Sequence, residues 1–129
     1  MTDTAPLPDP RPDPRLGDVL SELCPSRRIL SHVTSRWGGL VLIALGHDCL
    51  RFAQLRRKIG GISERMLAQT LQTFEADGLL IRRDHGEVPP RVDYRLTDTG
   101  LEIAQRYLDL ARWIETHLED LIPAPTDQA

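Results

Sequence analysis

The sequence predicts a mainly α-helical domain with one small β-hairpin. Three observations carry that reading. Apolar residues recur every three or four positions along most of the chain, the period of a half-buried helix. In one stretch the period changes to two: Val92, Tyr94 and Leu96 alternate with Arg91, Asp93 and Arg95, as in a strand with one buried face. Glycines and prolines stand where the patterns break, at Pro25, Gly46, Gly60-Gly61, Gly78 and Pro89-Pro90. At 129 residues, 40% of them hydrophobic and 27% charged, the chain has the size and apolar content for one core with tails.

In chain order, residues 1–15 are expected to be a disordered arm. Within it, APLPDPRPDPR holds five prolines and almost no apolar side chains, and proline fits neither a helix interior nor an inner strand. Residues 16–122 are read as the domain and 123–129 as a flexible tail. Residues 16–23 are expected to form a short helix. The next runs from Pro25 to about Val33, with Pro25 at the first position, where its missing N–H is not needed. Residues 36–45 are apolar nearly all round, as suits a helix at a domain centre, and Gly46 stops it. Gly38 and Gly39 weaken that helix, at roughly 1 kcal/mol each relative to alanine.

Residues 52–59 make a short amphipathic helix, and Gly60-Gly61 a tight turn. Residues 63–77 form the most informative helix. Ser63 is its N-cap, and Ile62 and Leu67 occupy the two positions of a hydrophobic staple. Leu67, Leu71 and Phe74 make one apolar stripe, and Arg65, Gln69 and Gln72 lie opposite. Residues 80–85 can pair with Val92–Leu96 across the loop Gly86-Glu87-Val88-Pro89-Pro90, which is longer than a two-residue turn and stiffened by its prolines. Thr97 caps the last helix, with Asp98 placed to complement the helix dipole. Ala104, Tyr107, Ala111, Ile114, Leu118 and Leu121 then follow at three- and four-residue spacing as a narrow seam, with Leu108 and Leu110 beside it.

Several function classes drop out. The longest apolar run, residues 40–45, is far shorter than the roughly 20 residues of a membrane helix. The N-terminus shows no basic-then-apolar pattern of a signal peptide, so a cytoplasmic protein is expected. Cys24 and Cys49 form no C-x-x-C pair, and His32, His47, His85 and His117 have no ligand spacing; neither a metal nor another cofactor is expected. There is no G-x-S-x-G, H-E-x-x-H or glycine-rich phosphate loop, and the chain is not expected to be an enzyme. The net charge of −3 is unevenly spread. Residues 1–23 carry −3, residues 24–98 carry +4 and residues 99–129 carry −4. A local basic field can attract phosphate even on an anionic protein.

Helix, glycine turn, second helix and hairpin, in that order, make a winged helix-turn-helix. An α-helix fits the major groove of B-DNA, where arginine matches guanine O6/N7 and glutamine matches adenine N6/N7. Arg65, Gln69 and Gln72 supply those groups at one-turn spacing. Ser63 and the open amides at the helix start can take a phosphate. Arg56, Arg57 and Lys58 can neutralise backbone charge, and Arg82, Arg83, Arg91 and Arg95 would carry the wing to an adjacent groove or backbone. A polar face opposite an apolar stripe is also normal for any solvated helix; its place in a docking motif favours DNA. The rival is a protein-binding winged-helix adaptor without DNA affinity, which need not keep Arg65 and the wing arginines exposed on one side. The terminal seam could cover its own core, but its length of about six turns points to a homodimer through Tyr107, Ala111, Ile114, Leu118 and Leu121. Cys24 sits at a helix start with Arg27 and Arg28 close by, a setting that stabilises a reactive thiolate; a space-filling buried cysteine has the same sequence. Cys49 is expected to be inert.

The ordered set of residues resembles the HxlR-type winged helix regulators of bacteria, relatives of the MarR-type regulators. It comprises Cys24-Pro25, Trp37 opening an apolar helix, Arg51-Phe52-x-x-Leu55-Arg56, Ile62-Ser63-x-x-Met66-Leu67, Leu71-x-x-x-Glu75-x-Asp77-Gly78-Leu79 and Pro89-Pro90-Arg91-Val92-x-Tyr94-x-Leu96-Thr97-x-x-Gly100. The resemblance spans about residues 24–121. It implies a homodimeric regulator bound to double-stranded DNA, its dimer built by terminal helices, with Cys24 where some members carry a thiol that senses oxidants or electrophiles. The chain departs from the pattern at Arg36, usually lysine, at Gly38-Gly39, usually bulkier, and in its acidic proline-rich arm.

Overall fold

The computed structural model describes residues 19–121. The expected arm and tail lie outside them. The described elements are α1 (Pro25–Val33), α2 (Gly38–Leu45), β1 (Leu50–Arg51), α3 (Phe52–Lys58), α4 (Glu64–Ala76), β2 (Leu80–Asp84), β3 (Val92–Leu96), α5 (Asp98–Thr116) and α6 (Leu118–Leu121). The order is that of a winged helix-turn-helix, mostly helical with a small antiparallel sheet.

α2 is the hub. It touches α1, α3, α4, α5 and β3, which explains why its residues are apolar on every side: Val41, Leu42 and Leu45 are fully buried. Leu55 of α3, Leu67, Leu71 and Phe74 of α4, and Leu79, Leu80 and Leu96 of the hairpin complete the core. Phe74 is completely covered. Caps set the helix starts. Ser63 Oγ accepts the Met66 N–H at 3.1 Å. Thr97 Oγ1 accepts the Gly100 N–H at 3.0 Å and donates to the Gly78 carbonyl at 2.8 Å, joining the start of α5 to the end of α4.

Four expectations need correction. Residues 19–23 form turns, not the end of a helix. Ser21 Oγ takes the Leu23 N–H at 3.2 Å, and Cys24 is held extended at φ −76°, ψ 125°, as the residue before a proline prefers. Residues 16–18 of that expected helix lie outside the described residues. The hairpin gains a third strand: the sheet order is β1-β3-β2, with Leu50 opposite Tyr94 and Arg51 opposite Asp93. Two residues are too few to show a period.

The terminal helix is broken at His117. In a continued helix the Trp113 carbonyl would accept the His117 amide. Here the Thr116 hydroxyl (3.1 Å) and His117 Nδ1 (2.7 Å) take that carbonyl, and the His117 amide turns to Ile114 instead, at 3.1 Å. This is side-chain competition with the helix ladder, reinforced by stacking of the His117 ring on Trp113 at 4.0 Å between centroids. Lastly, Gly38 and Gly39 do not loosen α2. A Cβ at Gly39 would overlap the Tyr107 ring, and one at Gly38 would overlap the His32 carbonyl. Glycine here permits close packing of α5 and the end of α1 on α2.

Candidate nucleic-acid interface

The helix-turn-helix is built by α3 and α4. Between them Gly61 adopts φ +84°, a left-handed conformation that glycine takes without strain. Ile62 and Leu67, the staple pair, are both buried. α4 is thereby locked by Leu67, Thr70, Leu71 and Phe74 on one side. A further tie comes from α1: His32 Nδ1 lies 2.7 Å from Asp77 Oδ2, and the Asp77 side chain is only 5% exposed. Arg65, Gln69 and Gln72 occupy the opposite side. All three are exposed, and none has a polar partner among the described residues. A fixed helix thus presents an uncommitted row of donors and acceptors.

The flanking basic residues do not behave alike. Arg56 reaches forward over the turn, Nη1 to Glu64 Oε2 at 3.1 Å and Nε to the Ile62 carbonyl at 3.4 Å. Lys58 folds back, Nζ donating to the Ala44 carbonyl at 2.7 Å and lying 3.5 Å from Asp48. It thereby covers the C-terminal end of α2, where a cation is favoured. Arg57 alone of the three is exposed with no partner among the described residues.

Register divides the wing arginines. Cross-strand partners share a face of the sheet. Arg82, Tyr94 and Leu50 lie on one face, with Tyr94 and Leu50 packed on the core. Arg83, Asp93 and Arg51 lie on the other, next to the pair Ile81–Arg95. Arg83 and Arg95 thus share the outer face with Arg51, and Arg82 does not. Arg51 was not singled out from the sequence, although an arginine just ahead of an amphipathic helix in the helix-turn-helix was a usable signal. Arg91 is half-buried, with Nη2 3.0 Å from His85 Nδ1, and His85 Nε2 lies 2.9 Å from Asp93 Oδ2. The hydrogen bond from His85, with smaller help from Cys49 and Arg91, holds the Asp93 carboxyl below the usual carboxylate range. Local desolvation, then the hydrogen bond to Asp93, pushes the exposed Cys49 thiol up. A raised thiol pKa keeps the thiolate scarce at neutral pH, in line with an inert Cys49.

Of the seam residues, Ala104 is buried and Tyr107 half-buried within the chain's own core, the Tyr107 ring seated on Gly39. Ala111 is half-buried. Ile114, Leu118 and Leu121 are exposed, together with Leu110 and Trp113; Trp113 was missed because it falls beside the seam spacing. Cys24 is buried at the N-cap of α1, with Sγ 2.9 Å from Ser26 Oγ. No helix among the described residues is long and apolar enough to cross a membrane.

Known proteins share this arrangement. Residues 32–121 match the HxlR-like helix-turn-helix family. The chain is 49% identical over 113 residues to the uncharacterized HTH-type transcriptional regulator YtfH of Escherichia coli strain K12, covering 88% of this chain and 90% of that one. A solved structure of the transcriptional regulator YtfH from Salmonella typhimurium superposes with a TM-score of 0.76 at 50% identity, over 81% of this chain and 94% of the other. The redox regulator HypR in its reduced form superposes with a TM-score of 0.68 at 31% identity, over 75% and 96% of the two chains. With that coverage, and the helix-turn-helix and wing in place, the chain belongs to the HxlR-like helix-turn-helix family of transcriptional regulators.

Proposed function

We propose that this regulator is a homodimer that binds a palindromic operator in double-stranded DNA, with α4 in the major groove. The observation that carries the reading is the outer face of α4, where Arg65, Gln69 and Gln72 stand exposed and uncommitted on a helix whose other face is locked in the core. Base readout needs both features, because a donor held by an internal partner or carried on a loose helix discriminates poorly. Arg57 and the outer-face wing arginines Arg83 and Arg95 supply phosphate contacts, and Arg56 and Lys58 chiefly brace the motif. Arg65→Ala is expected to weaken operator binding by about 1–3 kcal/mol and to relax specificity at one base position. Arg57→Ala is expected to weaken all sequences alike and flatten the salt slope by about one unit, whereas Lys58→Ala leaves that slope unchanged. Fluorescence titrations of operator and scrambled duplexes at several salt concentrations read both. An Arg65→Ala protein with unchanged affinity and specificity would favour the adaptor reading.

The dimer reading rests on an apolar groove of about 540 Å³ between α1 and α5, lined by Ile29, Leu30, Val33, Ile103 and Leu110 among others. It is continuous along α5 with exposed Trp113 and Ile114. A patch of this kind on one chain marks an association surface.

A thiol response through Cys24 forms part of the same reading. It is supported by the position of Cys24 at the N-terminus of α1, where helix amides favour thiolate, and by the likeness to a redox regulator. Diamide or hypochlorite is expected to change operator affinity of the wild type, reversibly with reductant, and to leave Cys24→Ser unchanged. Equal responses from the two proteins would assign Cys24 to packing alone.

A further inference from the structure

Three side chains meet at the base of the wing loop. His85 Nε2 lies 2.9 Å from Asp93 Oδ2. Arg91 Nη2 lies 3.0 Å from His85 Nδ1 and 3.3 Å from its Nε2. The two ring nitrogens flank Cε1, so an atom nearly equidistant from both cannot lie in the ring plane without overlapping Cε1. The guanidinium nitrogen therefore rests over the face of the imidazole. A backbone bond of 2.9 Å from the His85 N–H to the Arg91 carbonyl holds the two residues across the mouth of the loop. The His85 and Asp93 side chains are only 12% and 17% exposed. Arg91 Nε is buried with no hydrogen-bond acceptor among the described residues.

Each of these facts bears on how firmly Arg91 is held. A neutral imidazole accepts a cation over its face while its Nε2–H donates to Asp93. A protonated ring instead places a positive charge 3.0–3.3 Å from the Arg91 guanidinium, in a partly buried site where solvent screens repulsion poorly. One carboxylate then faces two cations. Asp93 keeps the ring, which donates to it directly, and the guanidinium loses its seat. The unpartnered Nε–H adds to the imbalance, since a buried donor without an acceptor is destabilising and gains a partner when it leaves.

The surrounding groups carry both signs. Arg51 of β1 and Arg83 of β2 are the register neighbours of Asp93, and Arg95 lies farther along β3. Together they add positive field to the outer face. The Cys49 thiol lies near Asp93 and helps to hold its carboxyl down. Asp84 accepts the Gly86 N–H at 2.9 Å, and Glu87 follows in the loop.

We propose that His85, oriented by Asp93, holds Arg91 away from DNA while the ring is neutral, and that protonation of the ring releases Arg91 to contact a phosphate. Operator affinity then rises as pH falls. His85 is a positioning residue in this scheme, and Arg91 the group that makes the contact. The proposal rests on the DNA-binding reading above, and the test separates the two.

Operator affinity and its salt dependence are compared at about pH 8 and about pH 5.5, a range that spans the ordinary histidine transition. Wild type, Arg91→Ala and His85→Asn are measured. Wild type is expected to bind roughly threefold to tenfold more tightly at the lower pH, with a salt slope steeper by about one unit. Arg91→Ala should match wild type at the higher pH and lack this extra gain. His47, His32 and His117 are common to both proteins, so the difference between them isolates the wing. Equal pH profiles for wild type and Arg91→Ala, or an Arg91→Ala deficit as large at high pH as at low pH, would overturn the latch.

A second readout needs no DNA. In NMR spectra the Arg91 side-chain protons are expected to carry a ring-current shift from His85 at about pH 8 that is lost at about pH 5.5 in the folded wild type, with no such step in His85→Asn. That step without DNA binding at either pH sustains the latch and removes the DNA reading. DNA binding without the step does the reverse. Melting curves confirm that the variants are folded.

Discussion

Glutamate at both Ile114 and Leu118 is expected to turn the protein into monomers and to weaken operator binding by about a hundredfold or more, the scale on which linking two binding modules acts. Both side chains are about two-fifths exposed on the single chain, at 42% and 41%. Ile114 lies one turn beyond Leu110, the last residue lining the α1–α5 groove, and Leu118 follows the break at His117. In a dimer two copies of this surface would face each other, so the double variant places four carboxylates in an apolar contact. Burying an unpaired charge there is unfavourable by several kcal/mol. On the proposed reading the monomer would retain one α4 and engage one half-site, losing the pairing of helices about 34 Å apart that a palindrome requires. Because neither residue belongs to the core of its own chain, the melting temperature of the monomeric unit should change little. Light scattering and operator titration check both parts. A wild-type chain that is monomeric at micromolar concentration would remove the basis of the prediction.

Gly39→Ala is expected to destabilise the fold by about 1–3 kcal/mol, the usual range for overpacking a filled site. That corresponds to a fall in Tm of about 4–8 °C per kcal/mol for a domain of this size. Helix propensity alone predicts the opposite sign, since alanine is favoured over glycine by about 1 kcal/mol within a helix. The reversal comes from Tyr107, whose ring occupies the volume that a Cβ would need, three of its atoms overlapping the added group. Either the ring moves off α2 or α5 shifts outward. Gly39→Leu should be worse. Shortening the partner tests the cause: Gly39→Ala combined with Tyr107→Ala should lose less than the two single changes added together. A Gly39→Ala protein more stable than wild type would show that the ring yields freely. The same contact makes Tyr107 a joint between α5 and α2.

Much of this architecture is local in origin. Ser63, Thr97 and Pro25 mark helix starts with chemistry that acts within one turn. The staple of Ile62 and Leu67 and the stripe of Leu67, Leu71 and Phe74 orient α4 before any other element is placed. That is why the helix-turn-helix, the hairpin and the outward row of Arg65, Gln69 and Gln72 could be read directly. β1 could not, because a two-residue strand exists only through its pairing with β3. The break at His117 was hidden as well. It depends on how Thr116 and His117 compete for one carbonyl, and the apolar spacing continues through it to Leu121.

The basic residues show the same division. Composition and order determined that arginines would gather around α3, α4 and the wing. Which of them remain available was decided by neighbours that only folding brings together. Glu64 draws Arg56 across the turn, the end of α2 draws Lys58, and His85 with Asp93 seats Arg91. Arg57 and Arg65 meet no such acceptor among the described residues. Backbone elements follow short-range hydrogen bonding and side-chain periodicity, which a sequence displays. A long cationic side chain instead takes the nearest carbonyl, carboxylate or ring within reach, and those neighbours are known only once the chain has folded.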